Sequence, residues 1–115
     1  MLRTTAAEDL PAVRSTGEYL CRAAAYPLHE ASSIPLGSHD AASPRLALRW
    51  LRERTSNITD QLDAAYAQPG HYWLTDEAEH EQALAYLTTG TAYRLTLYDE
   101  TTCYVLVAYP PGDTP

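Results

Sequence analysis

Residues 92–109 read "AYRLTLYDETTCYVLVAY", and their pattern decides the fold. Over 92–98 the side chains alternate, with Tyr93, Leu95 and Leu97 on one face and Arg94, Thr96 and Tyr98 on the other. A period of two marks a strand with one dry face. Residues 102–109 are apolar on both faces, as a strand with neighbours on either side should be. The polar connector around "DETT" is short, so the two runs predict a hairpin. Pro110-Pro111-Gly112 closes it, and 110–115 read as a flexible tail.

Upstream, residues 77–89 predict a helix that stops at Gly90, a residue suited to the left-handed position past a helix end. Its start is the densest ionisable stretch of the chain: Asp76, Glu77, Glu79, His80 and Glu81. Helix chemistry accounts for most of that density. Asp76 with Glu79 three residues later forms a capping-box pattern, and the helix dipole favours Glu77 and Glu81 in the first turns. Residues 71–75, "HYWLT", read as a short strand, and Gln68-Pro69-Gly70 as the stop of the helix before it.

That earlier helix covers 44–67 and opens at Ser43-Pro44, serine as N-cap and proline at the first helical position. Ala47, Leu51, Ile58, Leu62 and Ala65 share one face, with Arg45, Arg49 and Arg52 nearly opposite. Arginines at the positive start and Asp60 and Asp63 at the negative end suit one helix badly, and "TSNIT" is poor helix-forming sequence, so a kink is expected at 55–57. Residues 27–43, with two prolines, a glycine and four serines, read as a long loop. Residues 9–25 read as a first helix, with Leu10, Val13, Gly17, Leu20 and Ala24 in one stripe. The assembled expectation is an α+β fold in a single domain, 1–115. Three helical segments pack on one face of a three-stranded antiparallel sheet, in the order 92–98, 102–109, 71–75. The outer face is open, or covered by a second copy in a homodimer through the sheet face.

Hydrophobic residues make up 45% of the chain, enough for a core, and no apolar run approaches the length of a bilayer span. "MLRTTAAEDLPAV" lacks an apolar run with a cleavage site, so the expected compartment is the cytoplasm, with no membrane partner. Cys21 and Cys103 have no CxxC spacing and read as buried thiols or one disulfide. Phenylalanine is absent while tyrosine occurs nine times, so every aromatic side chain has a polar tip suited to half-wet surfaces.

Net charge is −7, and residues 71–115 hold seven carboxylates against Arg94 alone, a local −6. Such a segment repels phosphate backbones and attracts basic surfaces. The leading expectation is therefore a small protein-binding module that occupies a basic surface of a partner protein. The sharper form is an inhibitor imitating phosphate charge, as antirestriction and anti-CRISPR proteins do. Its candidate contacts are Asp76, Glu77, Glu79, Glu81, Asp99 and Glu100 with Tyr93, Tyr98, Tyr104 and Tyr109. No catalytic residue and no cofactor is expected, because HExxH, GxSxG and glycine-rich phosphate loops are all missing. Two alternatives rest on particular residues. A metal-dependent enzyme would draw on His29, His39 and His80 with nearby carboxylates, Asp76 and His80 being four apart on one helix face. A nucleic-acid binder would use the Arg45, Arg49 and Arg52 stripe flanked by Trp50, against the net negative charge.

Overall fold

The computed structural model describes residues 17–113. Its elements run β1 (Tyr19–Pro27), β2 (Ile34–Ala41), α1 (Pro44–Thr59), α2 (Ala64–Thr75), α3 (Glu77–Thr88), β3 (Tyr93–Tyr98) and β4 (Thr102–Tyr109). Among these residues the class is α+β as expected, with three helices, but the sheet has four strands in the order β2-β1-β4-β3. All three pairings are antiparallel.

The hairpin of 92–109 forms with β3 and β4 in register from Tyr93 opposite Ala108 to Tyr98 opposite Cys103. β4 is central, but its second neighbour is β1 rather than 71–75. The expected helix over 9–25 is thus corrected for 19–25, and its part at 9–16 lies outside the described residues. Leu20 and Ala24, four apart, imitate a helical stripe. Burial instead alternates at Cys21, Ala23 and Ala25, and eight register partners on β4 override the helix preference of alanine.

The long loop at 27–43 contains β2. Pro35 and Gly37 read as breakers, yet β2 is an edge strand, where a missing N–H is tolerated. Gly37 has φ +146° beside a register shift at Ala23/Ala24, the mark of a bulge. It also brings the strand against α1, where a Cβ would sit 3.6 Å from the Trp50 ring and the Arg54 side chain.

The segment expected as one helix at 44–67 is two helices. α1 runs straight through 55–57 and ends at Thr59, and α2 starts at Ala64. Residues 71–75 are the last turn of α2 and not a strand, and Gln68-Pro69-Gly70 lies inside that helix. Packing explains the continuity. Ala67, Gly70 and Trp73, at spacings of three, turn inward, and Gly70 lies directly against Thr59 of α1. α3 forms as expected, with Thr89 as C-cap and Gly90 at φ +88°.

One cluster of buried residues draws on all three helices and all four strands, and the helices cover one face of the sheet. Leu51, Leu87, Leu97 and Leu106 are its largest fully buried aliphatic members, each contributing about 1.5–3 kcal/mol by burial. Cys21 points into this core and Cys103 to the opposite face, and both are free thiols, which removes the disulfide alternative. Among the described residues, no helix is long and apolar enough to cross a membrane.

Candidate functional site

The residues singled out in the sequence fall into three places. At the start of α3, the Asp76 carboxylate accepts the Glu79 N–H at 3.1 Å, a true N-cap. Glu79 does not complete the capping box. Its carboxylate accepts the Tyr93 hydroxyl at 2.7 Å, and that hydroxyl accepts the Trp73 indole N–H at 2.9 Å. Tyr93 is 5% exposed, on the helix-covered face. Burial first, and then its bond to Glu79, push the Tyr93 phenol well above its usual range. His80 is buried edge-on against Trp73, with Nε2 2.7 Å from the Trp73 carbonyl. A carbonyl only accepts, so Nε2 carries the proton. Asp76 and His80 therefore serve as cap and core contact and do not share a ligand. His39 stacks on Trp50 at 6.4 Å and His29 lies in the exposed β1–β2 turn. Among the described residues no three His, Cys, Asp or Glu side chains converge as metal ligands.

Glu77 and Glu81 are exposed, but they line a cleft shared with Arg45 and Arg52 of α1. The first acidic group and the arginine stripe thus face each other and partly cancel. Arg49 pairs loosely with Glu53 at 3.8 Å, and Trp50 is buried, with His39 stacked on it and the Arg54 guanidinium 5.5 Å over its ring, rather than displayed beside the stripe.

The second place is the opposite end of the hairpin. The β3–β4 turn stands beside the α1–α2 connection, where Asp63, Tyr66, Asp99 and Glu100 line a shallow hollow of about 200 Å³. Among the described residues no basic side chain lines it. Asp60 adds a further carboxylate as the C-cap of α1. Asp99 closes the turn. Its Oδ1 accepts the Thr101 and Thr102 N–H groups, both at 2.8 Å, and its Oδ2 accepts the Tyr104 hydroxyl at 2.9 Å. The Thr101 bond above all holds this carboxyl below the ordinary value, so it stays ionised. Tyr104 is half-buried on the helix side, its phenol raised by burial and by Asp99. Asp60 and Asp63 are absent from the sequence-selected set. Asp60 carried an electrostatic signal, since a carboxylate at a helix C-terminus opposes the dipole by about 0.3–1 kcal/mol, whereas Asp63 is the N-cap of α2, where the dipole favours it.

The third place is the outer face of the sheet, where Tyr98 is 56% exposed and Tyr109 half-buried. Tyr26, Arg22 and Arg94 share this face, none of them selected as contacts. Scans against models of known families, curated protein sequences and solved structures each give no match to this chain.

Proposed function

We propose that the chain is a protein-binding module whose acidic end occupies a basic surface on a partner protein. The observation that carries this reading is the hollow between the hairpin turn and the α1–α2 connection. Asp63, Asp99 and Glu100 meet there without a basic side chain among the described lining residues, and Asp60 stands at the adjacent helix end. Asp60 is kept where the helix dipole disfavours it, which folding alone does not call for. Tyr66, half-buried in the same hollow, offers an aromatic anchor with a polar tip. Basic patches of this kind are common on nucleic-acid-binding proteins, so an inhibitor that imitates phosphate charge is the sharper form.

The α3 carboxylates support the reading less. Asp76 and Glu79 are engaged within the fold, and Glu77 and Glu81 face arginines. The same cancellation weakens the nucleic-acid alternative, since Arg45 and Arg52 look onto those glutamates and Arg49 onto Glu53.

The test is affinity capture from the native host with the full chain and with a D60N/D63N/E100Q variant, read by quantitative mass spectrometry. These side chains make no hydrogen bond that the fold needs, so the variant should melt like the parent. Each neutralised surface charge removes about 0.5–1 kcal/mol, so the captured partner should bind about tenfold to a hundredfold more weakly. Undiminished capture by the variant would refute the proposal.

A further inference from the structure

The outer face of the sheet inverts the charge of the molecule. It carries a groove of about 470 Å³ with Leu20, Tyr26, Val107 and Tyr109 among its lining residues, and its charged lining groups are Arg22 and Arg94. Among the described residues no carboxylate lines it, in a chain of net charge −7. Register sets the two arginines on one row. Arg22 of β1 and Arg94 of β3 both pair with Val107 of β4, one from each side. They are two strand spacings apart, about 10 Å, and both are exposed. Neither has an ion-pair or hydrogen-bond partner among the described residues. Val107, though it points outward, is 5% exposed and forms the floor between them.

We infer that this groove binds an extended peptide segment of a partner protein that places an Asp or Glu side chain above Val107, between Arg22 and Arg94. Length supports an extended chain. From Leu20 to Tyr26 the groove follows β1 for seven residues, roughly 20 Å at the strand rise. Charge supports a single acidic residue. Two guanidiniums without a partner among the described residues flank the row, so a carboxylate above Val107 would take a charge-assisted hydrogen bond from either side. The rest of the lining mixes aliphatic side chains with Ser33 and Ser38 along β2, with Tyr26 at one end and Tyr109 at the other, so apolar or aromatic neighbours of that acid have surfaces to cover. A nucleic acid fits less well, because its affinity comes from many phosphate contacts and this groove offers two cations in an acidic protein. The groove lies on a different surface from the acidic end and does not depend on it.

The experiment pans a displayed library of random dodecapeptides against the full chain and against an R22Q/R94Q variant. Both arginines are exposed, so the variant should keep the parent circular dichroism and melting curve. Peptides with Asp or Glu between apolar residues should enrich on the parent and not on the variant. A synthetic copy of one should shift the Arg22 and Arg94 Nε–Hε resonances, and its Asp→Asn form should bind at least about tenfold more weakly. Overturning results are enrichment of acidic peptides that ignores the two substitutions, no enrichment at all, or displacement of the bound peptide by oligothymidine. Enrichment of only Arg- and Lys-rich peptides that require Asp60, Asp63 and Glu100 would also overturn the groove, while leaving the acidic end standing.

Discussion

Replacing Gly70 with alanine separates the observed fold from the one the local sequence suggests. Gly70 lies inside α2, and a Cβ there would overlap the Thr59 hydroxyl and stand 3.2 Å from Thr59 Cβ and Cγ2. Thr59 is 1% exposed and β-branched, so its packed, stiff side chain has little room to rotate clear of a new methyl. Overpacking of this kind costs about 1–3 kcal/mol, while alanine regains up to about 1 kcal/mol of helix propensity. The expected net loss for G70A is about 1–2 kcal/mol. Thr59→Ala vacates the space the new methyl needs. It also removes a buried hydroxyl that has no hydrogen-bond partner, which offsets part of the lost burial. The T59A/G70A double variant should therefore recover most of the loss, with a coupling of about 1–2 kcal/mol in a double-mutant cycle. Equilibrium unfolding in urea measures all four proteins, and unchanged denaturant slopes license the comparison. If Gly70 instead stopped a helix in a left-handed turn, alanine would be strained whatever occupied position 59. A G70A loss that T59A leaves untouched, or no loss at all, would refute the α1–α2 packing.

Tyr93→Phe deletes the acceptor of the buried Trp73 indole N–H and should cost about 1–3 kcal/mol, read as a lower melting temperature. Asp99→Asn should cost about 1 kcal/mol at neutral pH, discounted for its partial exposure. Because folding lowers the Asp99 pKa, its contribution is full above the unfolded value near 4. It fades as pH falls through the folded value, so the gap between parent and variant in pH-dependent melts should close below about pH 4. Burial, with Asp40 adding to it, pushes the Cys21 thiol up to about 12. Iodoacetamide on the native protein should therefore modify Cys103 alone, and Cys21 only after unfolding, by intact-mass measurement.

What was legible in the sequence was local. Alternation at 93–98 and the Asp76–Gly90 punctuation describe β3 and α3 nearly to the residue, because each rests on contacts within a few positions. β1 was hidden by its alanines, whose small side chains give neither period much contrast, so only pairing with β4 settles it. "HYWLT" carries strand-favouring aromatics, and Pro69-Gly70 looks like punctuation. The competing signal was Ala67, Gly70 and Trp73 at helical spacing, and it acquires meaning only once Thr59 is opposite. The site followed the same division. The surplus of carboxylates could be read from composition. Which of them share a surface depends on the 99–101 turn meeting 60–63, some forty residues away in sequence. The arginine row of the outer face likewise exists only because β1 and β3 flank β4.

The most direct test of the acidic end is the salt dependence of partner affinity, measured for the parent and for D60N/D63N/E100Q from about 50 mM to about 500 mM salt. Opposed exposed charges are screened over this range, where the Debye length falls well below 10 Å. The parent should lose affinity steeply as salt rises, and the variant should start weaker and change little. A parent affinity that is flat with salt, or a variant with the parent slope, would contradict binding through Asp60, Asp63 and Glu100.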